Sequence, residues 1–268
     1  MLVAFVVEFL DKKINTEGQL QQISQNQLVI QGRFQKLDAR KRNGEKKPGS
    51  GHGFLEEMDD FTAKTLLSKA AVKSIALCSP ENSNEWIPLF PQNFARSFLQ
   101  TGRKVLLVDG YLRSPKLNGL VAGESKPMGL TDIFVSQASL DQVTFPVEKQ
   151  LYVVPGGNPI QNPAAFFGSR LFSDFLEETK KRYDMVILCT PPITQGMDSV
   201  LVSSQVDSTL LLVELGKTTK PAFASAVQSL FESSGKLPGI ILLGANQRNS
   251  SLLSSSSRGK KTRVRTQG

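Results

Sequence analysis

The fold of this chain is decided by the stretch Val105-Leu106-Leu107-Val108-Asp109-Gly110-Tyr111-Leu112-Arg113-Ser114-Pro115. An unbroken apolar run that ends on a carboxylate and a glycine is typical of a strand buried on both faces and followed by a polar loop. Five more apolar runs are separated by segments with helical periodicity: Ser74–Cys78, Leu151–Pro155, Met185–Cys189, Thr209–Val213 and Gly239–Leu243. Strands that alternate with helices predict an α/β fold built on a doubly wound, parallel sheet.

Local signals indicate where several helices begin and end. One helix begins near Ser169 and carries cations at 180–182, at its C-terminal end, where they complement the helix dipole. Another has Pro221 in its first turn and stops at Gly235. The pattern Thr16-Glu17-Gly18-Gln19 is a capping box and predicts a short helix near the N-terminus.

The positive charge is concentrated in two stretches. The formal net charge is +8, and residues 33–47 hold seven cations against Asp38 and Glu45, a net of +5. Residues 258–268 add five cations and no acid, so the two stretches sum to +10 and the remainder is near −2. Basic stretches rich in Gly and Ser bury little apolar surface, and they attract anionic membranes or nucleic acid.

Composition divides the chain into four parts. We expect an N-terminal appendage over 1–31, a basic flexible linker over 32–54, the α/β domain over 55–248, entered by a helix over 55–70, and a disordered basic tail over 249–268. The apolar run Met1–Leu10 is shorter than the roughly 20 residues that cross a bilayer, and it lacks the basic start and cleavage site of a signal peptide.

Family motifs occur from one end of the chain to the other. Besides Val105–Pro115 and Tyr183–Pro192, they are Gly129-Leu130-Thr131-Asp132, Val154-Pro155-Gly156-Gly157, Asn162-Pro163-Ala164, Ser169-Arg170-Leu171-Phe172, Asp198 and Gly216-Lys217-Thr218-Thr219. As a set they resemble the bacterial tyrosine kinases of capsule and exopolysaccharide synthesis, a branch of the deviant-Walker P-loop ATPases related to the Min and Par proteins. Val7–Ile14 resembles the segment where a polysaccharide chain-length regulator enters the cytoplasm. The resemblance implies a P-loop NTPase-like fold that uses ATP and Mg²⁺.

The phosphate loop of that family, S-P-G-E-G-K-S-T, aligns with the segment that follows the strand Ser74–Cys78. This segment reads Ser79-Pro80-Glu81-Asn82-Ser83-Asn84-Glu85-Trp86-Ile87-Pro88-Leu89-Phe90-Pro91. Glycines let backbone N–H groups approach a phosphate, and a lysine meets its charge, but the segment has neither. We therefore interpret five of its residues as a vestigial nucleotide loop: Ser79, Pro80, Asn82, Ser83 and Asn84.

The other Walker elements are altered as well. Asp109 survives in the second element, but the aspartate expected two residues later is Tyr111, and the Walker B aspartate falls at Cys189. A neutral thiol cannot hold Mg²⁺, which requires hard oxygen ligands, so no metal site is expected. Asp109 is the one candidate for a retained role. The other family positions are interpreted as vestigial and, at the strand ends, as strand terminators: Arg113, Asp198, Thr190, Pro191, Pro192 and Asn246.

These losses together predict a pseudokinase that keeps the fold, binds no cofactor and acts by binding or regulation in polysaccharide synthesis or export. Two alternatives stay open: an active ATP-dependent tyrosine autokinase with a rearranged site, and a DNA-associated partition-type protein. The resemblance implies a polysaccharide co-polymerase, chain-length regulator or kinase homologue as partner. It also favours an anionic membrane over nucleic acid as the surface for the basic stretches, and therefore a cytoplasmic location at the periphery of the inner membrane.

Overall fold

The structure, a computed structural model, describes residues 12–23, 29–34, 57–63, 72–82, 89–121, 123 and 126–244. Its strands are β1 Ile30–Phe34, β2 Ser74–Cys78, β3 Val105–Asp109, β4 Phe145–Glu148, β5 Leu151–Val154, β6 Met185–Cys189, β7 Ser208–Glu214 and β8 Gly239–Leu243. Its helices are α1 Glu17–Ile23, α2 Leu89–Leu99, α3 Leu130–Ser136, α4 Pro163–Phe167, α5 Arg170–Arg182, α6 Asp198–Ser203 and α7 Lys220–Ser234. Residues 57–63 are helical as well.

The strands form one eight-stranded sheet in the order β1-β8-β7-β2-β6-β3-β5-β4. Each neighbouring pair is parallel except β4 and β5. The predicted fold class is therefore confirmed. Within the described ranges, no helix is both long and apolar enough to cross a membrane.

Helices cover both faces of the sheet, which explains why its central strands are mainly apolar and buried along their whole length. Every residue of β2, β3 and β6 is buried. Because successive side chains of a strand point to opposite faces, each strand contributes to two separate cores. The core beneath α2 contains the aromatic side chains of Phe90, Phe94 and Phe98, with neighbouring ring centroids 5.9 and 5.1 Å apart.

The two cysteines face opposite sides of this sheet. Cys189 pairs in register with Leu77, and both belong to the core beneath α2. Cys78 belongs instead to the core that contains Phe223 of α7 on the other face. Both thiols are buried and free, and a disulfide between them is excluded because their side chains point apart.

Two strands lie outside the six predicted runs. β1 crosses the linker boundary predicted at residue 32, because Phe34 pairs with Leu243 of β8 and is fully buried. β1 and β4 are the two edge strands, and their alternation of half-buried and exposed residues gives a weak apolar signal. The predicted linker beyond residue 34, the ends of the predicted helix over 55–70 and the predicted tail lie outside the described residues.

The start of α1 has a variant of the predicted capping box, in which the return bond goes to Asn15 and not to Thr16. The Thr16 hydroxyl accepts a hydrogen bond from the backbone N–H of Gln19 at 3.4 Å. The Gln19 side chain accepts one in return from the backbone N–H of Asn15 at 2.8 Å. These bonds satisfy amides that the helix itself leaves without partners.

The N-terminal segment packs directly on the sheet. Residues 12–14 run antiparallel to residues 216–220, and the backbone N–H of Ile14 donates to the carbonyl of Thr218 at 2.8 Å. Ile14 and Leu20 are buried in the core beneath α7. The first described residues are therefore part of the folded core.

Candidate functional site

The candidate site lies at the carboxyl ends of β2, β6 and β3, which are adjacent in the sheet. Ligands of open α/β sheets bind in a crevice at this edge, because the loops that leave the strands converge there. The three segments aligned with Walker elements are thus brought together, as the resemblance implies. Of the vestigial residues, Ser83, Asn84 and Asn246 lie outside the described residues.

Asp109, at the end of β3, is completely buried and acts as an acceptor for its own loop. Its carboxylate accepts hydrogen bonds from the backbone N–H groups of Tyr111 at 3.0 Å, Lys116 at 2.6 Å and Leu117 at 2.7 Å. Burial raises the pKa of the Asp109 carboxyl, and the three amides partly oppose this shift. Both carboxyl oxygens are engaged in shaping the loop.

At the position where the family motif has its second aspartate, this chain has Tyr111, whose ring is largely apolar. Its ring is buried in the core beneath α2, together with Cys189. Burial, with Cys189, Cys78 and Asp109 nearby, raises the pKa of the Tyr111 phenol. Burial also raises the pKa of Cys78 to about 12 and that of Cys189 well above its ordinary value. The phenol and both thiols are therefore neutral at physiological pH.

The start of the vestigial loop is fastened to its neighbours by hydrogen bonds. The carbonyl of Ser79 accepts from the backbone N–H of Ile193 at 2.9 Å, and the Asn82 side chain accepts from Gln195 at 2.7 Å. The Glu81 carboxylate accepts from the backbone N–H of Thr219, the N-cap residue of α7. A carboxylate thus occupies a position at a helix start that suits an anion.

The contacts of Glu81, Gln195 and Thr219 could not be predicted from the sequence. The three residues lie far apart along the chain, and the only local signal was a carboxylate within the aligned phosphate loop.

Arg113 and Asp198 are brought together in a structural ion pair. The Arg113 guanidinium lies 3.3 Å from the Asp198 carboxylate and also donates to the backbone carbonyl of Gln161. Asp198 is buried at the first turn of α6, whereas the Arg113 side chain is 45% exposed. The pair links the loop after β3 to α6, since its two members come from different segments.

The segment after β6 closes back on β2. The Thr190 hydroxyl and backbone N–H both donate to the carbonyl of Leu77, at 3.0 and 2.9 Å. The carbonyl of Pro191 accepts a hydrogen bond from the hydroxyl of Ser199 in α6. These bonds hold the segment that follows β6 against β2 and α6.

Two glycine motifs are in direct backbone contact. A side chain at Gly129 would place its first carbon 2.3 Å from the backbone of Gly157 and of Pro155. The backbone N–H of Leu130 donates to the carbonyl of Pro155 at 2.8 Å, and the Asp132 carboxylate accepts from the N–H of Gly129 at 2.7 Å. The motifs shared with the kinase family are thus also packing motifs.

The described residues at this edge do not fit a nucleotide with Mg²⁺. The oxygens of Asp109 already accept backbone N–H groups, the Walker B position is a buried thiol, and phosphates would meet the carboxylate of Glu81. In the part of the chain that the structure describes, no group of three or more His, Cys, Asp or Glu side chains could hold a metal ion.

Comparison with known proteins identifies relatives of this chain. No family model matches it. Tyrosine-protein kinase YwqD of Bacillus subtilis is 35% identical over 153 residues, 57% of this chain and 64% of that protein. Tyrosine-protein kinase CpsD of Streptococcus pneumoniae is 33% identical over 146 residues, 54% of this chain and 64% of that protein. The match thus spans slightly less than two thirds of these relatives.

Solved structures show the same architecture. The BceF tyrosine kinase domain superposes with a TM-score of 0.72 at 22% identity and covers 87% of this chain and 100% of that domain. The septum site-determining protein MinD of Pyrococcus horikoshii superposes with a TM-score of 0.52 at 18% identity, over 66% of this chain and 72% of that protein. At these identities the likeness establishes the fold and no activity.

The sheet order, the converging loops and these superpositions define an α/β protein with the P-loop NTPase-like fold of kinase domains and of MinD. The sequence matches add that the chain is related to the bacterial tyrosine kinases. The resemblance predicted from the motifs is therefore confirmed.

Proposed function

We propose that this chain is a pseudokinase: a tyrosine-kinase-like module of capsule or exopolysaccharide synthesis or export that acts by binding or regulation and turns over no ATP. The observation that carries the proposal is that both carboxyl oxygens of Asp109 already accept hydrogen bonds from backbone N–H groups. Phosphoryl transfer depends on positioning and on cations that stabilise the transferred phosphoryl group. Here the surviving carboxylate is buried and accepts three backbone N–H groups, so it has little capacity to organise a metal ion or to act as a base.

The positions of the tyrosines support the same proposal. The chain contains three tyrosines. Tyr111 and Tyr183 are buried, and Tyr152 is half-buried, with its ring packed edge-on against that of Tyr183. A phosphate brings about two negative charges and needs solvent or cationic partners. Burial therefore disfavours a phosphate on Tyr111 and on Tyr183 unless the structure opens locally.

We propose as partners a polysaccharide co-polymerase or chain-length regulator, or a kinase homologue, at the cytoplasmic surface of the inner membrane. Four lysines lie where the N-terminal segment meets the start of α7: Lys12, Lys13, Lys217 and Lys220. Each lysine or arginine near an anionic membrane contributes about 1 kcal/mol of attraction. This supports a membrane surface as one of the contacts of the module.

Nucleotide binding tests the pseudokinase proposal. A ligand at 100 times its Kd stabilises a protein by about 2.7 kcal/mol, which corresponds to about 5–10 °C in Tm for a chain of this size. We expect ATP or ADP with Mg²⁺ to leave the Tm unchanged, both in the wild type and in Glu81→Gln, which removes the charge but keeps a hydrogen-bond acceptor. The kinase domain of CpsD serves as the positive control.

A rise of about 5 °C or more in the wild type would refute the proposal. If phosphotyrosine also appeared on the chain after incubation with ATP, the active autokinase would replace it. A rise in Tm that occurs only in Glu81→Gln would show that the phosphate-binding loop is intact and is blocked by one carboxylate. That result would also refute the proposal that the site cannot bind a nucleotide.

A further inference from the structure

A cavity of about 60 Å³ lies at the opposite edge of the sheet from the candidate site, where β7 and β8 begin. Its walls come from the end of α6, the start of β7, the last turn of α7 and the loop that leads into β8. The polar side chains that line it are Ser203, Asp207, Ser208, Thr209, Ser234 and Lys236.

Ser203 is the anomalous residue of this lining. It is 3% exposed, and its buried hydroxyl oxygen has no hydrogen-bond partner among the residues that the structure describes. A buried hydroxyl in that condition is unfavourable, and alanine would fit a helix end without the penalty. The next residue, Ser204, is exposed and donates to the carbonyl of Leu201 at 2.8 Å. The Ser203 hydroxyl, in contrast, requires a partner from the cavity.

The charges around the cavity favour a neutral ligand. The Asp207 carboxylate accepts backbone N–H groups from Lys73 at 2.9 Å and Ser74 at 2.8 Å, and lies 3.7 Å from the Lys180 ammonium. Although burial opposes the shift, these groups lower the pKa of Asp207, so it carries a negative charge. Lys236 adds a positive charge to the same lining. The Lys180 ammonium is also paired with the Glu177 carboxylate at 2.8 Å. The formal charges of Asp207, Glu177, Lys180 and Lys236 therefore sum to zero, which favours an ion of neither sign.

The size and the remaining walls define the ligand further. A cavity of about 150 Å³ holds benzene, and a water needs about 10–15 Å³, so this cavity encloses a few non-hydrogen atoms. Leu230, Leu237 and Val206 supply apolar contacts beside the hydroxyls. We propose that the cavity binds a small neutral polyol, or the terminal diol of a larger one, with the Ser203 hydroxyl bonded to a ligand hydroxyl and the ligand CH₂ groups against the leucines.

Titration of ethylene glycol and glycerol into the ¹⁵N-labelled full chain tests this proposal by NMR. We expect saturable amide shifts at Ser203, Ser208 and Thr209, with a Kd in the millimolar range that suits a ligand of few atoms. Ser203→Ala should weaken binding about fivefold or more, because it removes the buried partner. Ser204→Ala, one residue further along and exposed, should bind as the wild type does. Acetate and ethylammonium should give no saturable shifts.

Several outcomes would overturn the proposal. Shifts that stay linear throughout the titration would mean that the cavity holds water alone. Equal affinity in the wild type and Ser203→Ala would show that the hydroxyl is no ligand contact, and saturation by acetate would contradict the preference for neutral ligands. Should Ser203→Ala fold poorly, Thr209→Val, at the edge of the same cavity, must weaken binding instead. Unchanged binding in that variant would also refute the site.

Discussion

Replacing Asp109 by alanine tests whether this carboxylate holds its own loop in place or is a remnant of a catalytic site. The substitution removes the acceptor of three backbone amides, those of Tyr111, Lys116 and Leu117. A hydrogen bond to a charged group contributes about 1.5–3 kcal/mol, so three would amount to roughly 5–9 kcal/mol. Burial of the charge offsets part of this sum, as the raised pKa indicates, and water entering the vacated space offsets more. We therefore expect Asp109→Ala to destabilise the protein by about 3–5 kcal/mol.

Urea denaturation followed by circular dichroism measures this effect. With an m-value of about 3 kcal/mol/M, the midpoint should fall by about 1–2 M. Asp109→Asn keeps one oxygen acceptor and should lose about half as much. Asp174→Ala is the matched control, since that carboxylate is 66% exposed and forms an ion pair with the exposed Arg170. Its midpoint should stay within about 0.2 M of the wild type.

A midpoint for Asp109→Ala within about 0.3 M of the wild type would refute the assignment of this carboxylate to the loop. The residue would then be free for another role, and a function in catalysis would again have to be considered. A large loss in the Asp174→Ala control would instead show that the chain responds to any lost aspartate.

Two further predictions concern the N-terminal half. Ile14→Ala should lower the free energy of unfolding by about 2–5 kcal/mol in urea denaturation, because the side chain is fully buried. Val29 is 67% exposed, so Val29→Ala should lower it by less than about 0.5 kcal/mol. Equal effects of the two substitutions would mean that residues 12–14 are not docked. Replacing the six cations Lys36, Arg40, Lys41, Arg42, Lys46 and Lys47 by glutamine should sharply weaken salt-sensitive binding to anionic vesicles; unchanged binding, or wild-type preference for duplex DNA, would contradict the membrane proposal.

The structure also determines how the membrane test must be designed. Deleting residues 1–47 would remove β1 together with the buried side chains of Ile14, Leu20 and Phe34. Arg33, counted with the basic stretch in the sequence, forms an ion pair with Glu17 at 2.5 Å. Six cations against two acids then remain, a net of +4, and substitution keeps the fold intact where deletion would not.

The central strands were predictable from sequence because their burial is complete. β2, β3, β6 and β8 begin and end where the apolar runs do. The edge strands were not, since a strand covered on one side alternates polar and apolar residues and gives no continuous run. Gln31 and Arg33 in β1 illustrate this, because both are exposed on a strand whose Phe34 is fully buried.

The structure adds contacts at the candidate site that could not be predicted from the sequence. The sequence identified Tyr111 and Cys189 at positions that need carboxylates, and the structure places both in the apolar core beneath α2. The hydrogen-bond partners of Asp109 are within eight residues of it. Their residue types nevertheless do not predict that their backbone N–H groups point at the carboxylate. The contact between Glu81 and Thr219 spans 138 positions, a separation at which sequence patterns carry no geometric information.

Thr219 connects two parts of the molecule mechanically. Residue 13 forms a β-bridge with it, and its backbone N–H is bonded to Glu81 at the start of the loop after β2. A load applied to the chain at Lys12 would therefore reach the first turn of α7 through the backbone bonds of residues 12–14, alongside the packing of Ile14 in the core beneath α7. Tension on residues 12–14 and displacement of the loop after β2 would therefore both act on Thr219.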